Sequence, residues 1–317
     1  MRGPHGANSQ LCGASYAELS QLSGVGLLSD RLKNRANVSM LAGVERILSQ
    51  EMKLSSSVSD WSWVDALFMS MNTYSRVGNI TGNVSYYEKQ YANFHDTALA
   101  PADGLKTYGL WNASTALFYR DSRFVGTDIY WGRGNAWAIG ALVAAIGHGQ
   151  HDPHRQEYIA IFQQHAAKLL VLVGKDGAWR TSLLNPSAYP LGESTATAGI
   201  VYGLAFGLNQ GLLTPRLEYL TVVSKAWGFL SAVSLQENGV VGFCQPGGGS
   251  PENNYNRTST TSFCVGDFLL AASEVSKVVE FQSLHASTNT SSSRQLKSDD
   301  SSDQATVPFS HHAFRTQ

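Results

Sequence analysis

Two aspartates lie in surroundings that could give a carboxyl group a chemical role. Asp121 is part of "TALFYRDSRF" (115–124), where Arg120 and Arg123 flank it and aromatic residues precede it. Aromatic neighbours raise the pKa of a carboxyl group by excluding water, whereas inward-pointing arginines lower it. Such a group could act as a general acid and base. The alternative is a surface Arg-Asp-Arg salt-bridge cluster with no further role.

The second aspartate, Asp65, interrupts an otherwise apolar predicted helix in "WSWVDALFM" (61–69). A buried charge is costly unless it is paired or functional. Asp65 could therefore bond to a neighbouring inner helix, or it could lie in a site beside Asp121. In the second case Trp63 and Tyr119, each close in sequence to one of the two aspartates, are candidate substrate contacts.

A third stretch, "YWGRGNAW" (130–137), carries groups suited to binding a sugar acid at the start of a buried helix. Tryptophans such as Trp131 and Trp137 stack on sugar faces, and Arg133 can pair with a carboxylate through two hydrogen bonds. Trp137 is equally suited to the core. Asn135 is well placed to cap the helix.

Two further segments supply weaker candidates. "DGAWR" places Trp179 and Arg180 on a turn, where they could form another wall and anion contact. Glu193 opens the next inner helix, where the helix dipole alone also favours a glutamate. The histidines of "HGQHDPH" (148–154) fit a solvated loop between helices, so we expect no metal site and no cofactor.

Composition excludes several classes of function. Only 15% of the 317 residues are charged, against 43% hydrophobic, and the formal net charge is −1. No general attraction to nucleic acid or to an anionic membrane is therefore expected. The three cysteines lack a zinc-binding spacing. Cys244 and Cys264 could form one bridge or remain two buried thiols.

The sequence gives conflicting signals about localisation. The N-terminus, "MRGPHGANSQ", lacks the apolar core of a signal peptide, and no run of about 18 apolar residues suggests a membrane span. Six N-x-S/T sequons slightly favour a secreted protein; they begin at Asn37, Asn79, Asn83, Asn112, Asn256 and Asn289.

Helical periodicity runs through most of the chain. We predict helices over 15–24, 38–52, 61–79, 85–99, 134–149, 157–173, 194–213, 217–233 and 261–280. Buried, small-residue helices alternate with amphipathic ones, as in an α/α toroid whose inner ring lines a cavity. Strand-like alternation is confined to short pieces such as "GVVGFCQ". We predict a domain over 1–282 and a disordered Ser-rich tail over 283–317.

Five motifs, in order, resemble those of the unsaturated rhamnogalacturonyl hydrolases of glycoside hydrolase family 105, close relatives of the unsaturated glucuronyl hydrolases of family 88. They are "WSWVDALFM", "LFYRDSRF", "YWGRGNAWAIGAL", "DGAWRTSLLNPSAYPLGESTATAGIVYGLAFGLNQGLL" and "GDFLLAASEV", between about residues 14 and 279. The resemblance implies an all-α (α/α)6 barrel, the six-hairpin glycosidase toroid. The family pattern has one more helix ahead of this chain and residues 1–12 read as loop, so we expect the first helix to be missing.

The resemblance also implies a reaction. Enzymes of this family hydrate the 4,5 double bond of an unsaturated uronic acid at the non-reducing end of a pectin-derived oligosaccharide, without metal or nucleotide. It implies that Asp121 is the acid/base and that Asp65 assists. The implied substrate contacts are Trp63, Tyr119, Trp131, Arg133, Trp137, Trp179, Arg180 and Glu193. The alternatives are unsaturated glucuronyl fragments from other polysaccharides, or a truncated, non-catalytic toroid that only binds sugars.

Overall fold

The computed structural model describes residues 7–24, 42–46, 48–49, 52–53, 61–99 and 108–278. The predicted Ser-rich tail lies outside these residues. Among the residues described, none of the helices is long and apolar enough to cross a bilayer.

The described elements are mainly helices, at the places that the periodicity predicts. Their bounds are α1 Ala7–Gly24, α2 Val64–Thr81, α3 Ser85–Ala98, α4 Gly132–His148, α5 Arg155–Leu170, α6 Ser194–Asn209, α7 Arg216–Phe229 and α8 Ser262–Val275. A π-helical turn, Leu230–Ser234, extends α7. Within the predicted helix 38–52, residues 42–46 and 48–49 are helical.

The helices form two layers, as the alternation of buried and amphipathic helices in the sequence predicts. The inner helices α1, α2, α4, α6 and α8 pack on one another in that order, while α3, α5 and α7 each pack behind one of them. Helices α4 and α6 are buried on nearly all sides because small residues allow close approach. At Gly199 on α6, for example, an added Cβ would lie only 2.8 Å from the Cβ of Ala136 on α4.

The prediction that residues 1–12 form a loop is wrong for residues 7–12, which are helical. Ala7 and Gln10 are buried, and the hydroxyl of Thr73 on α2 donates a 2.6 Å hydrogen bond to the Gln10 carbonyl. Packing against α2 therefore extends α1 towards the N-terminus, a tertiary effect that local periodicity does not reveal.

Short β contacts fix the loops that precede the inner helices. Strand β1 (Trp111–Asn112) pairs antiparallel with β2 (Leu117–Phe118). Isolated bridges join Trp63 to Asp121, Trp131 to Ser182, and Leu235 to Val241. In the strand-like stretch "GVVGFCQ" (239–245), the structure has an isolated bridge between Val241 and Leu235 instead of a strand.

A disulfide joins Cys244 to Cys264. Of the two alternatives that the sequence left open, the structure therefore has the bridge and not two buried thiols. It links a loop that follows α7 to the first turn of α8. Cys12 is a free, exposed thiol.

Candidate active site

Asp65 and Asp121 line one cavity of about 540 Å³ beside the N-terminus of α2. Arg120, Arg123 and Trp63 line it as well. With Asp96, three acidic groups and two arginines therefore share a space large enough for a small ligand.

Backbone contacts explain why residues so distant in sequence meet here. The Val64 amide, in the first turn of α2, donates a 2.8 Å hydrogen bond to the Arg120 carbonyl. The bridge between Trp63 and Asp121 extends this pairing. The turn that carries Asp65 is thus fastened directly to the loop that carries Asp121.

Asp121 is held as a carboxylate by its two arginine neighbours. Arg123 donates from its backbone amide (3.0 Å) and its Nε (2.9 Å) to Oδ1, and from its Nη2 to Oδ2 at 2.8 Å. Arg120 Nη1 donates to Oδ2 at 2.6 Å. Burial alone would raise the pKa of Asp121, but these bonds outweigh it and lower the pKa to about 2. The salt-bridge cluster exists, and it lies inside the cavity.

Asp65 has a contrasting environment. It is only 8% exposed, and its Oδ2 receives no hydrogen bond from any described residue. Arg120 Nε lies 3.4 Å away, close enough for an ion pair. Burial raises the pKa of Asp65, and the charge of Arg120 offsets only part of that effect.

A single guanidinium, that of Arg120, lies between the two carboxyl groups. Its Nη1 bonds to Asp121 and its Nε faces Asp65. Gly249 packs against it, because a Cβ added at that position would come within 3.1 Å of Arg120 Cζ and Nε. The position of Arg120 therefore depends on the absence of a side chain at residue 249.

A second cavity of about 250 Å³ adjoins the first and shares Asp65 and Met69 with it. Its walls are mainly apolar and include Phe68, Trp137 and Phe263. The rings of Phe68 and Trp137 pack with their centroids 4.8 Å apart. Trp137 is half-buried, so it packs on Phe68 and also forms part of a cavity wall.

Arg133 lies at the edge of the second cavity, but both of its terminal nitrogens already donate hydrogen bonds. Nη1 donates to the Gln245 carbonyl at 2.6 Å, and Nη2 donates to the Pro246 carbonyl at 2.8 Å. The guanidinium packs between the rings of Trp131 (4.5 Å) and Phe263 (4.9 Å). In this structure Arg133 therefore orders the loop after Gln245, and two carbonyls occupy the donors expected to bind a substrate carboxylate.

Gln245 connects several predicted site residues, although sequence reasoning did not select it. The side-chain oxygen of Gln245 accepts a 2.8 Å hydrogen bond from Trp131 Nε1, and the backbone amide of Gln245 donates to Glu193 Oε1 at 2.9 Å. Glu193 is fully buried and also caps α6 through the amides of Thr195 and Ala196. Trp131 and Glu193 thus support the loop from behind. A glutamine in a Gly-rich loop carries no distinctive sequence signal.

The remaining candidates lie apart from the lining of these two cavities. Tyr119 stacks on Tyr130 with centroids 4.8 Å apart. Trp179 is fully buried and donates from Nε1 to the Leu169 carbonyl. Arg180 pairs with Asp176 at 3.0 Å.

Asn135 does not cap α4, because Trp131 occupies the N-cap position. The Asn135 side chain instead bonds to the amide and carbonyl of Phe118 on β2. This contact fixes the hairpin that leads into the Asp121 loop.

Sequence reasoning also missed polar residues of the larger cavity. Asp96 and Thr97 on α3, and Tyr108 after it, line that cavity. They belong to no motif and reach the cavity only through the packing of α3 behind α2. Within the described part of the chain, no cluster of three or more His, Cys, Asp or Glu residues is arranged to hold a metal ion.

Comparison with known proteins supplies the context for this geometry. The sequence profile of glycosyl hydrolase family 88 matches residues 4–279. A curated protein of Formosa agariphila, named unsaturated 3S-rhamnoglycuronyl hydrolase, is 36% identical over 69% of this chain and 59% of its own length. A protein of Alteromonas sp. with the same name is 33% identical over 68% of this chain and 51% of its own. The chain therefore spans between half and three fifths of these relatives.

Solved structures show the same architecture. A protein named as a polysaccharide lyase superposes with a TM-score of 0.73 at 31% identity, over 86% of this chain and 74% of its own. A family 88 glycosyl hydrolase from Bacteroides vulgatus superposes with a TM-score of 0.72 at 30% identity, over 84% and 74%. The predicted all-α six-hairpin toroid is confirmed.

Proposed function

This chain belongs to glycosyl hydrolase family 88, and from that membership we propose that it removes a 4,5-unsaturated uronic acid from the non-reducing end of an oligosaccharide. The substrate class that we propose is the rhamnose-containing fragments released from pectin by lyases. Asp65 and Asp121 are the proposed catalytic groups.

The observation that carries the proposal is the pair of unequal carboxyl groups in one cavity. Asp121 is hydrogen-bonded as an anion, whereas Asp65 is buried with an oxygen that no described residue bonds. Hydration of a vinyl ether needs a proton donor for C4 and an acceptor for the proton of the water that adds at C5. Two carboxyl groups whose pKa values are pushed apart can fill these roles.

The arginines of the cavity support an acidic substrate. Arg120 and Arg123 line it, and the Arg123 side chain is 68% exposed. Guanidinium groups are suited to carboxylates because they offer several donors in one plane. A uronate entering the larger cavity would meet these arginines beside Asp65, Asp96 and Asp121. The aromatic rings of Trp63 and Trp137, one in each cavity, are the proposed contacts for the sugar faces.

A second candidate keeps the reaction and changes the polysaccharide. The relatives from Formosa agariphila and Alteromonas sp. are named for a rhamnoglycuronyl substrate. Their identity to this chain favours lyase products with that linkage as the alternative to pectin fragments. The third possibility, a toroid that only binds sugars, fits poorly with a cavity that contains both carboxyl groups.

The test follows the ultraviolet absorbance of the conjugated double bond, which hydration destroys. Purified protein is given unsaturated disaccharides from rhamnogalacturonan, from rhamnoglycuronan and from glycosaminoglycans. We expect loss of absorbance with a rhamnose-containing substrate, and a decrease of roughly 10²–10⁴-fold in kcat for Asp121→Asn.

The matched control is Asp128→Asn, because Asp128 is exposed in the same loop region and lies outside both cavities. Its activity should equal that of the wild type. Absence of turnover on every disaccharide by folded protein would refute the proposed function. Loss of activity in the Asp128 variant would refute the assignment to Asp121.

A further inference from the structure

We propose that Asn83 and Asn256 are N-glycosylation sites of this chain, whereas Asn112, which belongs to the same kind of N-x-S/T tripeptide, stays unmodified in the folded protein. The group that each site takes is an oligosaccharide, linked covalently to the side-chain amide. These sites are independent of the proposed hydrolase reaction.

Three of the sequons within the described residues form a local turn. In each of them the asparagine Oδ1 accepts a hydrogen bond from the backbone amide two positions later, at 3.0 Å for Asn83, 3.0 Å for Asn112 and 2.9 Å for Asn256. Such a turn joins only neighbours in sequence. It can therefore form before the tertiary structure does, while the chain is still accessible to a glycosyltransferase.

Asn79 begins a fourth sequon but lacks this turn, because it lies near the end of α2. The hydroxyl of Thr81, the third residue of its tripeptide, donates to the Val77 carbonyl at 2.7 Å. The helix therefore competes with the turn at this sequon, and Asn79 is not one of the proposed sites.

The side-chain amide of Asn112 is already engaged. Its Nδ2 donates to the hydroxyl of Tyr119 at 3.0 Å and to that of Tyr130 at 2.8 Å. Both tyrosines are buried. An asparagine amide has two N–H donors, so a glycan on Asn112 would remove one of these bonds and place a sugar beside two buried rings. The folded protein therefore disfavours modification of Asn112.

Asn256 has the same local turn and the opposite surroundings. It is exposed, and within the described part of the chain its side chain bonds only through Oδ1. Its backbone carbonyl accepts from the Phe243 amide at 3.0 Å, so the main chain is held while the side-chain amide remains available. Asn83 is also exposed, and among the described residues its side chain likewise bonds through Oδ1.

The disulfide between Cys244 and Cys264 is an observation separate from the sequons, and Asn256 lies between these cysteines in sequence. Disulfides form and persist in oxidising environments, which include the secretory pathway. N-linked glycans are added in that pathway. The bridge and the sequons therefore favour the same compartment.

A glycan at Asn83 leaves the candidate active site open. Asp65 lies in the first turn of α2, whereas Asn83 follows the end of this helix at Thr81. A helix of 18 residues is about 27 Å long. The larger cavity and the Asn83 sequon therefore lie at opposite ends of α2.

The transfer needs a co-reactant, an oligosaccharide joined through C1 to a polyprenyl diphosphate, and the transferase that uses it. The asparagine Nδ2 attacks C1, the C1–N bond forms, and the C1–O bond to the diphosphate breaks. Polyprenyl diphosphate leaves with the bonding electron pair. Nδ2 loses one of its two hydrogens as a proton to a base of the transferase, and nothing is oxidised or reduced.

The test uses the full chain, secreted by a eukaryotic host behind a cleavable leader and checked for folding by circular dichroism. Peptide N-glycosidase F in oxygen-18 water converts each glycosylated asparagine into a labelled aspartate, which peptide mass spectrometry locates. We expect the label at Asn83 and Asn256 and none at Asn112. Asn37 and Asn289 lie outside the described residues, so each peptide is assigned separately.

Variants supply a second readout, the mobility of the protein on a denaturing gel. Asn256→Gln and Thr258→Ala remove the same sequon, so each should change the mobility by one glycan. The matched control is Asn254→Gln, because Asn254 is exposed in the same loop and begins no sequon; its mobility should equal that of the wild type. An unlabelled Asn83 or Asn256, or a labelled Asn112, in the folded secreted protein would overturn the proposal.

Discussion

The disulfide between Cys244 and Cys264 should contribute measurably to stability. It closes a segment with a sequence separation of 20 residues. This segment contains Gln245, which bonds to Trp131 and Glu193 and whose carbonyl accepts from Arg133. Both sulfurs are fully buried beside Val241, Phe263 and Phe268. The perturbation that we propose is the double variant Cys244→Ala/Cys264→Ala, which keeps this contact apolar.

The size of the effect follows from the length of the closed loop. In the chain-entropy description, a separation of 20 residues corresponds to about 11 cal/mol/K, or about 3 kcal/mol of unfolding free energy at 25 °C. For a domain of this size, such a loss lowers Tm by roughly 6–12 °C. The loss of packing from two small sulfur atoms adds to this figure.

Urea unfolding followed by tryptophan fluorescence measures the free energy, and differential scanning calorimetry gives Tm. Cys12→Ser is the matched control, because Cys12 is exposed and free; it should change neither value. Thiol titration of denatured wild type should find one thiol before reduction and three after it. A change below about 1 kcal/mol in the double variant, or three thiols before reduction, would refute the reasoning.

Three further outcomes are expected. Gly249→Ala should push the Arg120 guanidinium aside by a few tenths of an ångström, since the new Cβ would lie 3.1 Å from it, and kcat/KM should fall by up to roughly tenfold. The control is Gly228→Ala, where the space around the new Cβ is open. Equal kcat/KM values for the two variants would show that the position of Arg120 does not affect catalysis. Glu193→Ala removes the largest of the opposite charges that act on the buried Arg133 and also removes the acceptor of the Thr195, Ala196 and Gln245 amides, so it should cost about 3–5 kcal/mol in urea unfolding. Glu193→Gln keeps one acceptor oxygen and should cost less, and similar losses in the two variants would argue that the charge alone matters. His165 is buried between the Ala116 and Asn135 carbonyls, and burial lowers its pKa from 6.5 to about 4. Between these two pH values the unfolded chain binds a proton that the folded chain does not, so the unfolding free energy should fall by about 1.4 kcal/mol per pH unit as pH drops from about 6.5 to 4. An unchanged slope in His165→Asn would show that His165 does not cause this pH dependence.

Much of the fold could be predicted from the sequence because helix periodicity is a local property. The predicted segments 85–99, 134–149 and 194–213 correspond to α3, α4 and α6. The start of α1 at Ala7 could not be predicted in this way. It depends on contacts with Thr73 on α2, which are far away in sequence.

The candidate site was predictable in part for a related reason. A charge in an apolar helix, as at Asp65, and an Arg-Asp-x-Arg cluster, as at Asp121, are unusual enough to mark both residues. The sequence also contains the arginines that could shift either pKa. It does not contain the direction in which their side chains point.

Tertiary structure alone decided what each group does. Arg133 looks like a carboxylate ligand in sequence, yet its donors meet the carbonyls of Gln245 and Pro246, more than a hundred residues away. Both Asp65 and Asp121 look like candidate acidic groups in sequence, yet one is desolvated and the other receives four hydrogen bonds. Residue types and helix positions follow from short-range chemistry. Protonation and pairing depend on neighbours through space, which only the folded chain brings together.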